Sequence, residues 1–239
     1  MALPTLNSSR YPATIPSTGQ KVEFRPFLVK EEKILMVAME SKDTGMMISA
    51  LKDIIQACVF DKLDVDQLTS FDLEELFLRL RSKSVGEKVS IQLKCSECGG
   101  MTPTEVNLDE VTTSEVSEQK HIMLTDKVGV EFAYPSVELV SQLDFDPDET
   151  TGEEQLAITE ALIKSCMVNV FDADNVWDVS TQTEEELNDF IDGLNSAQFA
   201  KITEFFGSIP TLTHTVKFKC ISCGHPNELE IKGLESFFI

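Results

Sequence analysis

Four cysteines stand in two short knuckles, Cys95-Ser-Glu-Cys98-Gly99 and Cys220-Ile-Ser-Cys223-Gly224. A Cys-x-x-Cys pair presents two thiolates from one tight turn. Two such pairs supply the complete tetrahedral shell of a structural zinc ion. The glycine after the second cysteine of each pair suits a backbone that turns its amides toward sulfur, because glycine enters φ > 0 freely. A shell of four thiolates leaves no open position for water, so the chemistry implied is bracing and not hydrolysis. Three other readings stand beside this one. The pairs could cycle as redox thiols, but a redox Cys-x-x-Cys opens a helix, and neither Gly99-Gly100 nor His225-Pro226 begins one. The thiols could pack without metal. Or each knuckle could hold its own ion, with His225 or His121 as a further ligand. The other two cysteines, Cys58 and Cys166, fall on apolar helix faces and read as small core residues.

The knuckles must be held by strands, and each is entered by an alternating run, Ile91-Gln-Leu93-Lys in one case and Val216-Lys-Phe218-Lys in the other. The same pattern extends into a repeat. Val22-Glu-Phe24 recurs as Val130-Glu-Phe132, and Cys58 recurs as Cys166, both 108 residues on; the knuckles recur 125 residues on. Landmarks in one order argue for internal duplication. The expected fold class is α+β: two duplicated halves, residues 1–111 and 112–239, each a β-hairpin, a helical segment and half a zinc ribbon. A shared tetrathiolate zinc would join them across a pseudo-twofold into one compact unit.

Within the first half, a hairpin turns at Ser17-Thr-Gly19, and a helix over 30–41 is expected to face Ile34, Leu35, Ala38 and Met39 inward. Asp43-Thr44 caps a second helix with the stripe Ile48, Leu51, Ile55 and Cys58. Thr69-Ser70 opens a third with Leu73, Leu76, Phe77 and Leu80 inward. In the second half, a hairpin turns at Asp126-Lys127, a short helix runs to about Leu143, and a long helix is expected over 153–170. Thr183-Glu-Glu-Glu186 forms a capping box, and Ser196 caps a last helix running to Phe206.

The chain has 239 residues, 20 basic and 41 acidic, for a net charge of −21. Such a surface repels nucleic-acid phosphates and anionic lipid, and suits a basic protein partner. The one basic run, Arg79-Leu-Arg81-Ser-Lys83, reads as the last turn of a helix. No apolar run is long enough to cross a bilayer, and the first residues lack a signal-peptide pattern, so the chain is expected to be intracellular when made. Phosphate-cradling glycine loops, Gly-x-Ser-x-Gly and His-Glu-x-x-His are all absent, which favours binding over catalysis. Asp144-Phe-Asp146-Pro-Asp148-Glu149 resembles the start of a calcium loop, but Glu149 stands where that loop needs glycine. The chain ends on Phe237, Phe238 and Ile239, which either pack back on the knuckle or dock a partner. Met36, Met46 and Met47 read as helix core, with an adaptable surface as the alternative.

Phe24-Arg-Pro-Phe-Leu-Val-Lys-Glu-Glu-Lys-Ile-Leu35, after Ile15-Pro-Ser-Thr-Gly19, resembles the N-terminal signature of a tail baseplate family of T-even-like bacteriophages. That family includes baseplate hub subunits and hub assembly proteins. The resemblance implies a non-enzymatic structural or assembly role among other baseplate or tail hub proteins, alone or as a homo- or hetero-oligomer. It implies a place in the host cytoplasm when made and in the virion baseplate if structural. A transient hub chaperone absent from the mature particle is the alternative, and a redox factor a more distant one. Arg25 and Phe27, with the terminal Phe237, Phe238 and Ile239, are then candidate partner contacts.

Overall fold

The computed structural model describes residues 8–41, 43–117, 120–142 and 152–237. The calcium-loop-like stretch at 144–149 and the terminal Phe238 and Ile239 lie outside them. The fold is mixed α/β. In chain order the elements are β1 (Tyr11–Thr14), β2 (Lys21–Phe24), α1 (Val29–Ser41), α2 (Thr44–Cys58), α3 (Ser70–Val85), β3 (Lys88–Lys94), β4 (Met101–Asn107) and β5 (Thr112–Thr113). There follow β6 (His121–Met123), β7 (Gly129–Phe132), α4 (Val137–Gln142), α5 (Gly152–Cys166), β8 (Met167–Phe171), β9 (Val176–Asp178), α6 (Glu184–Asp192), α7 (Ser196–Gly207), β10 (Leu212–Lys219) and β11 (Pro226–Lys232).

Two compact units form, and their bounds differ from the halves 1–111 and 112–239 expected from the sequence. One contains residues 1–115 together with 210–239; the other contains residues 116–209. The last strand pair, β10–β11, therefore lies in the same unit as the first knuckle, because it extends the sheet begun by β5: the order is β11-β10-β5, with Leu212 opposite Thr113.

In the first unit, α3 is the helix that anchors the core. Phe71, Leu73, Leu76, Phe77, Leu78 and Leu80 are all buried. Each such side chain contributes roughly 1.5–3 kcal/mol of transfer free energy, so α3 alone outweighs any polar contact in the unit. Its start is fixed by a reciprocal capping box. The Thr69 hydroxyl accepts from the Asp72 amide, and the Asp72 carboxylate accepts from the Thr69 amide. The same carboxylate, fully buried, accepts from the Ser17 amide at 2.8 Å and so ties the β1–β2 turn to the helix. Leu78 faces a separate cluster made with Ile91, Leu93, Val106, Leu108, Val111, Leu212, Val216, Ile231 and Phe237, which is the core beneath both knuckles.

In the second unit, β6-β7-β8-β9 form one antiparallel sheet. Phe132 stacks on Phe205 at 5.4 Å and meets Phe206 edge-on, and Tyr134 stacks on Phe205 at 5.7 Å.

Three expectations need correction. The helix expected over 153–170 ends at Cys166, and Met167–Phe171 is a strand, because Val168 and Val170 favour extended backbone and β7 offers an open edge. The last helix is capped by Asn195 and not Ser196: the Asn195 carboxamide oxygen accepts from the amides of Ala197 and Gln198. The inward stripe expected on α1 is also wrong. Only Ala38 of its four residues is buried, Leu35 is half-buried, and Ile34 and Met39 are exposed, as is Met36. The stripe of α3 is buried throughout, as is that of α2 apart from the half-buried Ile48.

Element bounds recur at the spacing seen in the sequence. β2 and β7 both end on phenylalanines 108 residues apart, α1 and α4 start 108 residues apart, and so do α2 and α5. In one unit the Arg25 amide donates to the Cys58 carbonyl at 3.0 Å; in the other the Ala133 amide donates to the Cys166 carbonyl at 2.8 Å, again at a spacing of 108.

Candidate metal centre

β3 and β4 pair antiparallel with Lys94 opposite Met101, which leaves residues 95–100 to turn the corner. β10 and β11 pair with Lys219 opposite Pro226 and leave 220–225 for the same task. The two turns close alike. The Cys95 amide donates to the Gly100 carbonyl and the Gly99 amide to the Cys95 carbonyl; the Cys220 amide donates to the His225 carbonyl and the Gly224 amide to the Cys220 carbonyl. Gly99 and Gly224 take φ of 69° and 74°, left-handed conformations in which a side chain would be strained.

The four Sγ atoms of Cys95, Cys98, Cys220 and Cys223 all lie within 4.8 Å of one another. The short distances run between knuckles: Cys95 to Cys223 is 3.8 Å and Cys98 to Cys220 is 3.6 Å. Tetrahedral thiolates at about 2.3 Å from zinc stand about 3.8 Å apart, so the donor set and its spacing fit that ion. Cys95 and Cys220 are buried, while Cys98 and Cys223 face outward. Neither His225 nor His121 belongs to the group. His225 contributes its carbonyl to the turn, and His121 packs edge-on against Phe171.

Amides surround the sulfurs. The Gly100 amide donates to Cys98 Sγ and the Ser222 amide to Cys220 Sγ, both at 3.4 Å. Donation from the amides of Cys98 and then Glu97, partly opposed by burial, draws the Cys95 thiol below its ordinary pKa. The amides of Cys223 and Ser222 do the same for Cys220, down to about 6. Cys223 goes the other way, up to about 12: the His225 amide opposes the rise, but Cys98 and burial outweigh it. A cluster that resists holding four negative sulfurs unaided is what a divalent cation relieves.

Two residues that sequence reading passed over join the knuckles. The carboxamide of Asn227 accepts from the Ser96 amide at 3.0 Å and donates to Cys95 Sγ at 3.5 Å. Thr102, buried, accepts from the Ile221 amide at 3.3 Å through its hydroxyl. Thr102 and Asn227 are 125 residues apart, as are Ser96 and Ile221, so these two cross-links are each other's counterpart. The 125-residue spacing of the knuckles was the signal that could have found them. Lys94 and Lys219 also match, their stems lying 3.6 and 3.7 Å from where a side chain on Gly99 or Gly224 would begin.

The other candidate residues are engaged inside their unit. The Arg25 guanidinium donates to Glu31 at 2.9 Å and to the Ala57 carbonyl at 2.9 Å, and the second Glu31 oxygen accepts from the Leu28 amide. Phe27 is buried, and its amide donates to the Ser84 hydroxyl. Phe237 is fully buried in the core under the knuckles. Cys58 and Cys166 are buried thiols whose pKa values burial pushes up to about 11 and about 12, which leaves them inert.

Among the described residues no helix is long and apolar enough to cross a membrane. The chain is 27% identical over 222 residues to the baseplate hub assembly protein gp26 of Enterobacteria phage T4, covering 92% of this chain and 94% of that protein. No solved structure matches it. Residues 8–239 match the family described as T4 bacteriophage base plate protein, and the chain belongs to that family.

Proposed function

We propose that the chain is a non-enzymatic structural or assembly component of the hub of a contractile phage tail baseplate. In this reading it acts through contacts with other baseplate or hub proteins and is stiffened by one zinc ion on Cys95, Cys98, Cys220 and Cys223. The observation that carries the reading is the closed four-sulfur group, inside a chain that matches a baseplate family along nearly its whole length. A tetrathiolate shell is a structural shell. Its sulfurs approach between knuckles, where a redox Cys-x-x-Cys would pair within one.

We take the halves 1–111 and 112–239 as duplicates, each ending in half a zinc ribbon. The matched element bounds, the equivalent turns and the reciprocal Ser96–Asn227 and Ile221–Thr102 bonds support this. The charge of −21 speaks against direct nucleic-acid contact. The phage T4 relative is named for hub assembly. A second form of the reading makes this chain an assembly factor that works in the host cytoplasm and leaves before the particle is mature.

Metal analysis of the untagged chain is expected to find about one zinc per chain. Cys98→Ser or Cys223→Ser is expected to lose it and to loosen both knuckles together, because a single ion holds them. A chain that carries no metal and whose knuckle strands are as well protected with chelator as without it would remove the zinc from the reading. A mass-spectrometric inventory of purified virions and of tail-assembly intermediates separates the two roles. Presence in virions marks a structural part; presence in intermediates alone marks an assembly factor; absence from both defeats the baseplate reading.

A further inference from the structure

α1 carries six consecutive apolar residues, Ile34-Leu-Met-Val-Ala-Met39, which at 100° per residue cover every direction around the helix. A helix apolar all round belongs in an interior. Here Met36 and Val37 are 56% and 60% exposed, and Ile34, Met39 and Met46 are exposed as well. Between α1 and α2 runs an open groove of about 430 Å³, floored by Ala38 and Ala50 and walled by Ile34, Val37 and Met46. Lys33 and Asp53 line its far end, each ten residues from Asp43 at the hairpin turn.

From this we infer that the α1–α2 hairpin is a dimer interface, and that its occupant is a second copy of this chain. Two observations choose that occupant. The first is charge. Over residues 29–58 there are four lysines and five acids, a net of −1 in a chain of −21. The hairpin is therefore a face that can meet its own copy with little of the repulsion that the rest of the surface would impose. The second is self-complementarity. A twofold axis parallel to the helices preserves height, so Lys33 of one copy comes level with Asp53 of the other, and the reverse. Two ion pairs form at the open end while the apolar walls meet along the groove. Two hairpins packed this way make a four-helix bundle, and the small residues at the floor let the helices approach.

The test is the mass of the full chain in solution, by light scattering and by sedimentation over a range of concentrations. A dimer near twice 26.6 kDa is expected. Val37→Glu, at an exposed position, is expected to keep the circular dichroism and to raise the dissociation constant roughly a hundredfold, since each copy then buries a charge. Lys33→Asp is expected to weaken the dimer about tenfold, and Lys33→Asp combined with Asp53→Lys to restore it, a rescue that loss of folding could not produce. A chain that stays monomeric at about 100 µM overturns the proposal. So does a dimer that Val37→Glu leaves intact, which would place the contact elsewhere.

Discussion

The carboxylate of Glu31 is 2% exposed at the start of α1, and what makes that position tolerable is the Arg25 guanidinium six residues earlier. Burial opposes the charge; donation from Arg25, from the Leu28 amide and from Lys30 more than offsets it and holds the Glu31 pKa down to about 2. The unfolded value is about 4.3. A depressed carboxyl stabilises the fold at every pH above its unfolded pKa, and that contribution drains away as the pH falls from about 4.3 toward about 2. The contribution near neutrality is roughly 2–3 kcal/mol. Glu31→Gln is therefore expected to lower the denaturant midpoint at pH 7 and to flatten the part of the acid limb that the wild type loses between pH 4.5 and 2. Equal pH slopes in the two proteins would show that folding does not move the Glu31 pKa. This pair was not legible in the sequence. Arg-Pro-Phe followed by Lys-Glu-Glu-Lys looks like a solvated contact surface, because nothing local says that residue 25 will meet residue 31 and the carbonyl of residue 57. The segment that most resembles the baseplate signature is thus an internal clasp.

At the scale of elements, the knuckle strands and most caps were readable, β8 and the Asn195 cap were not, and helix faces were only partly so. The alternation before each knuckle, the Thr69 and Thr183 caps and the stripe of α3 are local patterns, and local patterns decide them. Where α5 gives way to β8, the neighbouring edge of β7 decides, and that edge is more than thirty residues away. The face of α1 failed for a different reason: an unbroken apolar run has no direction, so no stripe could be assigned from it. Asp72 shows how much one element can hang on one cap. Its carboxylate serves the α3 cap and also takes the Ser17 amide from the β1–β2 turn. Loss of a cap costs about 0.5–2 kcal/mol, and the half-buried Ser17 amide left without its acceptor about 1–2 more. Asp72→Ala is expected to destabilise the chain by about 2–4 kcal/mol in urea unfolding, with Thr69→Ala costing less because it leaves the Ser17 amide satisfied. Equal losses for the two would mean that the turn does not depend on the helix cap.

On the scale of the whole molecule, the four-cysteine cluster brings residues 88–107 against residues 212–232, while the chain between builds a unit of its own over 116–209. Joining segments this far apart stabilises mainly by shrinking the unfolded ensemble, as a cross-link over about a hundred residues does. That term acts on global unfolding, whereas local opening depends on what a bound ion would hold directly. Beneath the knuckles lie ten buried apolar side chains, and Phe71, Leu76 and Phe77 of α3, also buried, are not among them. Stripping the metal with a chelator is expected to speed amide exchange in β3, β4, β10 and β11 and at Phe237, whose burial depends on those strands. The amides of α2 and α3, and those of β7 and β8 in the second unit, are expected to keep their protection under the same conditions. Hydrogen exchange read by mass spectrometry, with and without chelator, distinguishes the outcomes. Faster exchange confined to the two strand pairs identifies a clasp. Loss of protection across both units would mean that the whole fold waits on the metal, as in a zinc finger, and the clasp would be the wrong description.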